Sequence, residues 1–265
     1  MQNDGVRGAI KYYGQEVITL ISIGGDFMIP KIIHYVWFGG NEKPKSVLND
    51  IETWRTNLPD YEICEWNELN YELTENSPKY VQQAFKEKSW AFVSDYVRLD
   101  VLNQFGGIYL DTDVELLKGF DDLLDLKSFI GLESDYALST AVIGSEAHQT
   151  WTEMAIKDYQ TRSFFNDAGR KDKTPNSLYL FELLGGKSSK YFDRVFPATF
   201  FSPISFTTGA VNITSETVAV HHFSGTWKNR RSKIKDLIMR RIAKLLGEST
   251  FERVRKYLKS ISAKK

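Results

Sequence analysis

Cysteine is nearly absent from this sequence, which has only Cys64 among its 265 residues. A single cysteine excludes an intrachain disulfide, and nothing in the composition asks for an oxidising compartment. A long hydrophobic run is also missing, because the apolar residues 17–23 fall far short of the roughly 20 that a membrane span needs. No small-residue cleavage site follows them. We therefore expect residues 1–27 to be a poorly ordered leader or an upstream start, with Met28 preceding the first clear strand.

Net charge is absent too, since 34 basic and 34 acidic residues cancel. The cancellation hides a segregation: residues 228–265 hold 14 Lys and Arg against 3 acids, which leaves 20 basic and 31 acidic residues for 1–227. A basic tail on an acidic body favours an anionic partner, with a membrane surface and nucleic acid as the physical candidates. The tail also carries apolar residues at helical spacing, which predicts amphipathic helices; these either lie on a bilayer or pack on the domain.

The stretch from 94 to 117 reads S-D-Y-V-R-L-D-V-L-N-Q-F-G-G-I-Y-L-D-T-D-V-E-L-L. Its first half spaces apolar residues as a helix does, with Ser94 as a plausible N-cap and a stop at two glycines. Residues 108–110 are strand formers, and Asp111 and Asp113 follow them directly. Earlier in the chain, residues 29–36 and 61–66 are predicted strands that alternate with helical segments. The pattern is that of an α/β protein, in which ligands bind at the carboxyl ends of strands.

Two carboxylates one residue apart repel each other unless a cation, a proton or solvent offsets their charge. Hard divalent cations take oxygen ligands and tolerate waters and phosphates in their remaining positions. Asp111 and Asp113 therefore suit Mg²⁺ or Mn²⁺ bound together with a phosphorylated substrate, whereas the plainer interpretation is a solvated acidic turn. Asp95 and Arg98 lie on one helical face, where they can read sugar hydroxyls or form an exposed ion pair of small energy.

The spacing S-D-x-x-R-x-x-x-L-x-x-x-G-G-I-Y-L-D-x-D over residues 94–113 resembles the sugar-binding DXD region of glycosyltransferase family 32. More distantly, it is similar to the glucosylating domains of large clostridial toxins. The resemblance implies a GT-A type α/β fold over residues 28–229, with a mostly parallel mixed sheet flanked by helices, followed by a basic helical tail over 230–265. It also implies a metal-dependent retaining enzyme that moves a hexose from a nucleotide-sugar to a glycan or lipid-linked acceptor in surface polysaccharide synthesis.

The resemblance also implies the roles of individual residues. Asp111 and Asp113 are the expected catalytic and metal-binding pair, completed by His222, with His221 as the alternative because neighbouring strand residues face opposite sides. The segment 222–228 fits H-x-x-G-x-x-K, which is similar to a metal and diphosphate motif of related retaining transferases. Trp37, which matches the base-stacking tryptophan of the toxin domains, favours UDP over GDP. The expected donor-binding residues are Trp37, Gly39, Ser94, Asp95, Arg98, Gly225, Trp227 and Lys228.

Since transferases that build surface polymers act on lipid-linked acceptors, we expect the tail to meet an anionic membrane rather than nucleic acid, at the cytoplasmic face. Two other functions remain open. A phosphatase of the haloacid dehalogenase type also carries D-x-D-x-T/V after an apolar strand, but on its first strand. A non-catalytic protein that binds sugar nucleotides or glycans would keep the same residues without turnover.

Overall fold

The computed structural model describes residues 28–225, 230–247, 250–251 and 253–254. The predicted leader at 1–27, together with Trp227 and Lys228, lies outside the described residues.

Six strands form the main sheet: β1 (Ile32–Val36), β2 (Glu62–Trp66), β3 (Gly107–Leu110), β5 (Ser128–Ser134), β6 (Ala137–Ser145) and β7 (Arg194–Phe196). Their order across the sheet is β2-β1-β3-β6-β5-β7. Strand β6 runs antiparallel to β3 and β5, whereas the other neighbouring pairs are parallel. This is the mostly parallel mixed sheet flanked by helices that the GT-A resemblance predicts, and the predicted fold class is confirmed.

Helices cover both faces of this sheet. They are α1 (Lys45–Asn57), α2 (Lys79–Lys86), α3 (Trp90–Phe105), α4 (Thr150–Thr161), α5 (Asn176–Leu183), α6 (Ala198–Phe201) and α7 (Arg230–Leu246). Helices α2 to α5 contribute to one hydrophobic core, and α1 and α6 contribute to the other. Because side chains alternate along a strand, β3 serves both cores: Tyr109 lies in the first, while Ile108 and Leu110 lie in the second.

Helix α3 and strand β3 bring the D-x-D motif to the edge of the sheet. The helix begins at Trp90 after Ser89, so the expectation of a helix start at Ser94 is wrong by one turn. Apolar residues at 90–93 continue the helical pattern, and they extend the buried face in the N-terminal direction. The predicted stop is confirmed, since Gly106 follows the helix with φ of 65° and β3 begins at Gly107.

A second, two-stranded sheet pairs β4 (Val114–Leu116) with β8 (Ala219–His221) in antiparallel fashion. Val114 lies opposite His221 in this ladder. The pairing joins the residues just after the D-x-D motif to the histidine-containing segment more than a hundred residues later. The small sheet thus completes the site from a distant part of the chain.

Helix α7 lies in the predicted basic tail. Its Ala243 is buried, and the Arg240 Nε donates a hydrogen bond to the Phe206 carbonyl oxygen at 3.2 Å. Among the described residues, no helix combines the length and the apolar character that a bilayer crossing requires.

Candidate functional site

Asp111, Asp113 and His221 form a compact group at the carboxyl end of β3. One ligand atom from each lies within 4.8 Å of the others. The His221 Nε2 is 3.3 Å from the Asp113 Oδ1, and the His221 side chain is almost fully buried. The two aspartates arrive on the β3–β4 connection, and the histidine arrives at the end of β8. Sequence-distant residues are therefore brought together by the pairing of β4 with β8.

Asp113 is held as a carboxylate by several groups. Burial alone would raise its pKa, but the facing His221 and two hydrogen bonds from Ser224 hold this pKa well below its usual range. The Ser224 main-chain N–H and hydroxyl both donate to the Asp113 Oδ2, at 2.7 and 3.0 Å. Conversely, burial lowers the pKa of His221, but Asp113 outweighs burial and the net shift is upward. The site therefore concentrates negative charge that a cation would neutralise.

His222 points away from this group, contrary to the expectation that it completes the metal site. Its Nε2 lies 2.9 Å from the Glu115 Oε2, while its main-chain N–H donates to the Asp113 carbonyl oxygen at 3.0 Å. Since adjacent residues at a strand end face opposite sides, only one of the two histidines can face Asp113. The geometry favours the alternative, His221.

The residue that follows these histidines has an unusual backbone conformation. Phe223 has φ of 53°, a left-handed conformation that bulky residues rarely adopt. Its ring centroid lies 3.9 Å from that of His221. The turn at Phe223 places Ser224 where it can donate to Asp113. Backbone strain of this kind persists where the surrounding contacts fix it, and here the contacts are those of the candidate metal site.

Arg98 is the centre of a buried ionic network rather than part of an exposed helical pair. Its side chain is only 4% exposed. The Nη2 lies 3.0 Å from the Asp95 Oδ1, and the Nη1 lies 3.2 Å from the Asp111 Oδ1 and donates to the Thr140 carbonyl oxygen at 2.6 Å. The guanidinium also lies over the Tyr109 ring, 4.6 Å from its centroid. Arg98 thus links the helix to the D-x-D motif.

Asp95 occupies a site where its charge is only partly compensated. Burial raises the pKa of this carboxyl to about 7, although the neighbouring Arg98 lowers it and Asp111 raises it further. Asp111 makes a different set of contacts. The Tyr109 hydroxyl donates to the Asp111 Oδ1 at 3.0 Å, and the Asp111 main-chain N–H donates to the Ala141 carbonyl oxygen at 2.9 Å. Asp95, Arg98 and Asp111 therefore form one ionic network that links α3 to the candidate metal site.

Trp37 lies on the loop that follows β1 and is half-buried. Its indole N–H donates to the Asn41 carbonyl oxygen at 2.7 Å, and the Lys43 Nζ lies 5.8 Å from its ring centroid. A partly exposed indole beside a lysine is a suitable surface for a stacked base. Its proposed role in base binding stays a prediction.

The other expected donor residues have structural partners of their own. A Cβ on Gly39 would lie 2.5 Å from the Trp90 indole nitrogen, and the Gly39 N–H donates to Glu68. The Ser94 hydroxyl donates to the Ala91 carbonyl oxygen at 2.8 Å from inside α3, so Ser94 is not an N-cap. Gly225, with φ of 53°, follows Ser224 directly. Donor contact by Gly39, Ser94 and Gly225 stays a prediction.

Sequence reasoning missed several groups that support the aspartates. Ser224 lies inside the H-x-x-G-x-x-K segment, at a position that the motif leaves unspecified. Tyr109 precedes the motif by two residues, and its alternation with Asp111 along the strand was a usable signal. The Thr140 and Ala141 carbonyl groups carry no side-chain signal, so only the fold reveals them.

The residues present fit a divalent cation. Two carboxylates and one imidazole lie close together, and the His221 Nδ1 is buried without a hydrogen-bond partner among the described residues. Carboxylate oxygens suit Mg²⁺ and Mn²⁺, whereas an imidazole ligand is more typical of transition metals. Two carboxylates and one imidazole are therefore a possible ligand set for a divalent cation.

Residues 44–130 match the family described as "Glycosyltransferase sugar-binding region containing DXD motif". The match covers α1 to the early part of β5 and includes Asp95, Arg98 and both aspartates of the motif. The match to this family confirms the resemblance inferred from residues 94–113.

Individual proteins to which the chain is similar are named as glycosyltransferases. The chain is 27% identical over 145 residues to inositol phosphoceramide mannosyltransferase 2 of Schizosaccharomyces pombe, covering 54% of this chain and 41% of the relative. It is 32% identical over 93 residues to lactosylceramide 4-alpha-galactosyltransferase of Rattus norvegicus, covering 33% of this chain and 25% of the relative. A solved structure named PaToxG Glycosyltransferase has 24% identity and a TM-score of 0.41, covering 50% of this chain and 62% of that one. The chain spans less than half the length of these two curated relatives.

Proposed function

We propose that this protein is a metal-dependent retaining glycosyltransferase that moves a hexose from a nucleotide-sugar, preferably a UDP-sugar, to a glycan or lipid-linked acceptor. The observation that carries the proposal is the group of Asp111, Asp113 and His221 within 4.8 Å, next to the buried Asp95–Arg98 pair. A cation site and a hydroxyl-binding pair side by side are what a sugar joined to a diphosphate requires. A role in surface polysaccharide synthesis belongs to the same proposal.

Asp111, Asp113 and His221 would hold Mn²⁺ or Mg²⁺, and the bound ion would neutralise the charge that develops on the departing nucleoside diphosphate. Asp95 accepts hydrogen bonds from hydroxyl groups of the donor sugar, and Arg98 donates hydrogen bonds to the sugar. Arg98 also holds the Asp95 and Asp111 side chains in place through its ion pairs with both. Trp37 stacks on the base. Retention follows from the family resemblance, and attack by the acceptor hydroxyl on the same face as the leaving group needs no protein nucleophile.

The names of the two curated relatives support a lipid-linked acceptor. One is named for a mannosyl transfer to inositol phosphoceramide, and the other for a galactosyl transfer to lactosylceramide. Both acceptors carry a polar headgroup on a ceramide. The two names differ in the transferred sugar, so they favour an acceptor class without choosing a donor.

Helix α7 supports peripheral contact with an anionic membrane, at the cytoplasmic face. Its exposed apolar side chains include Ile234, Leu237, Ile238 and Leu245. Lysines and arginines share the helix, and residues 228–265 carry 14 of them against 3 acids. An apolar face flanked by basic residues binds at the interface of a bilayer with anionic headgroups. Such contact would hold the site close to a lipid-linked acceptor.

Vesicle sedimentation tests the membrane contact. Leu245 is 87% exposed and Leu69, far from α7 in sequence, is 88% exposed, so Leu245→Ser and Leu69→Ser are a matched pair. We expect the full chain to sediment with phosphatidylglycerol vesicles but not with phosphatidylcholine vesicles, and Leu245→Ser to weaken binding while Leu69→Ser does not. Equal binding to both lipids, or equal effects of the two substitutions, would contradict the contact.

Hydrolysis of a panel of UDP- and GDP-sugars tests the activity itself. We expect release of one nucleoside diphosphate that requires Mn²⁺ or Mg²⁺ and stops with a chelator. Phosphate release from a generic phosphatase substrate would instead favour the dehalogenase-type function, although β3 is the third strand of the described chain rather than the first. Tight donor binding without turnover, even with acceptor lipids present, would indicate a non-catalytic binding protein.

A further inference from the structure

The hairpin of β5 and β6 departs from regular pairing at two places next to the site. Ile130 lies opposite Ile143, but the following Gly131 lies opposite Ser139, so β6 bulges over the residues in between. Leu132 lies opposite Leu138, and Ser134 lies opposite Ala137, so Glu133 has no partner in the ladder. Bulges of this kind redirect side chains, and they are common beside active sites.

The first irregularity supplies two hydrogen-bond acceptors to residues of the candidate site. It lies at Thr140 and Ala141, whose carbonyl oxygens accept hydrogen bonds from the Arg98 Nη1 and the Asp111 main-chain N–H. These two contacts place the bulged part of β6 directly beside the D-x-D motif. The second irregularity, at Glu133, lies on the adjoining strand of the same hairpin.

Glu133 is a shielded carboxyl group within electrostatic range of the metal-site residues. Burial raises the pKa of Glu133 to about 7, His221 lowers it, and Asp111 raises it. Across the described part of the chain, no group donates a hydrogen bond to its carboxylate. Nor does Glu133 belong to the group of ligand atoms formed by Asp111, Asp113 and His221. Because β6 runs antiparallel to both β3 and β5, these two strands end at the same edge of the sheet. Glu133, near the end of β5, therefore lies at the edge where Asp111 follows β3.

Building on the proposed transferase activity, we propose that the Glu133 carboxylate accepts a hydrogen bond from a hydroxyl of the sugar bound beside Asp111 and His221. Sugar hydroxyls are hydrogen-bond donors, and an ionised carboxylate has about four lone-pair positions to receive them. A charged acceptor makes the stronger kind of hydrogen bond, especially where water is excluded. Glu133 is then a positioning residue for that sugar, and it lies on β5, whereas Asp95 and Arg98 lie on α3.

The sugar is that of the donor or that of the acceptor, and comparing hydrolysis of the donor with transfer to an acceptor separates the two sources. Two substitutions of Glu133 are compared in both assays. Glu133→Gln keeps the shape and loses the charge, and Glu133→Ala removes the group. Asp135→Asn is the matched control, because Asp135 lies in the same hairpin but is exposed beside Lys187. Each variant is assayed for metal-dependent hydrolysis of the donor, for binding of the donor and of UDP alone, and for transfer to lactosylceramide and inositol phosphoceramide.

If Glu133 holds the donor sugar, both Glu133 variants lose about 10- to 100-fold in kcat/KM for hydrolysis. Binding of UDP and the Mn²⁺ concentration for half-maximal rate stay unchanged, which a general structural defect would not allow. If Glu133 holds the acceptor sugar, hydrolysis is unchanged and the loss appears in transfer. Asp135→Asn behaves as wild type in every assay.

Wild-type levels of hydrolysis, donor affinity and transfer in both Glu133 variants would overturn this inference while leaving the transferase intact. A raised Mn²⁺ requirement as the only defect would also overturn it, because Glu133 would then act on the metal. Absence of metal-dependent turnover and of donor binding in the wild-type protein would instead contradict the proposed function, and with it this assignment.

Discussion

Replacement of Arg98 by alanine is expected to destabilise the protein far more than loss of an ordinary helical ion pair. Arg98 contacts Asp95 and Asp111 at 3.0 and 3.2 Å, and its side chain is 4% exposed. Without it, two shielded carboxylates lose their compensating charge and the Thr140 carbonyl oxygen loses a donor. Breaking a buried pair by removing one partner costs about 3–5 kcal/mol.

The matched control is Arg55→Ala. Arg55 and Glu52 are also three residues apart, at 3.3 Å, but their side chains are 58% and 68% exposed. Exposed pairs contribute little, so we expect this substitution to change the free energy of unfolding by at most about 0.5 kcal/mol. Arg98→Lys keeps one positive charge but cannot reproduce the planar fork, and it should give an intermediate loss.

Thermal and urea denaturation followed by circular dichroism measures the difference. For a chain of this size, a loss of about 3–5 kcal/mol corresponds to a fall in Tm of about 6–20 °C. Adding Asp95→Asn to Arg98→Ala should recover part of the loss, because it removes one uncompensated carboxylate. A fall in Arg98→Ala no larger than that in Arg55→Ala would refute the buried network.

Three further predictions test the metal site, the buried carboxylate and the turn before β3. His221→Ala should raise the Mn²⁺ concentration for half-maximal rate by at least about tenfold, whereas His222→Ala should not; the reverse order would restore the expectation from the sequence. Asp95 has a folded-state pKa raised to about 7, so its contribution to stability is present below its unfolded pKa and is lost as the pH rises toward 7. The wild type should therefore lose at least about 1 kcal/mol against Asp95→Asn between pH 4 and pH 7, and parallel stability curves would contradict this. Gly107→Ala should cost more stability than Gly169→Ala. Both glycines have positive φ, but a Cβ on Gly107 would lie 2.7 Å from the Ile32 carbonyl oxygen, whereas a Cβ on Gly169 would meet no atom within 4 Å. Equal losses would show that only φ matters.

Much of the fold was predictable from local pattern. Two glycines after an apolar helix fixed the end of α3 and the start of β3, because Gly106 and Gly107 both take positive φ. The start of the helix was not predictable in the same way, since Ser94 has the chemistry of an N-cap but hydrogen-bonds inside the helix to Ala91. The short helix α6 was not predictable from local pattern either, because it depends on the packing of Phe201 into the core.

The site was predictable where its residues share a motif, and not where they meet only through the fold. The D-x-D spacing identified Asp111 and Asp113, and the helical spacing identified Asp95 and Arg98. The choice between His221 and His222 depends on which side of β8 faces Asp113, and that orientation is set by the β4–β8 pairing rather than by adjacent residues. Glu133 carries no motif at all, and only the order and direction of the strands place the end of β5 at the same edge of the sheet as the aspartates.

The most direct test of the central claim is Mn²⁺-dependent release of a nucleoside diphosphate from its preferred nucleotide-sugar by the wild type and by Asp113→Asn. Asn keeps the shape of Asp113 and loses the charge that faces His221 and would face the ion. The account predicts steady release by the wild type with Mn²⁺, none with a chelator, and at least a hundredfold loss (about 3 kcal/mol) in a folded Asp113→Asn variant. Undiminished release by that variant, or release that ignores the chelator, would contradict the claim that this group binds the metal used in the reaction.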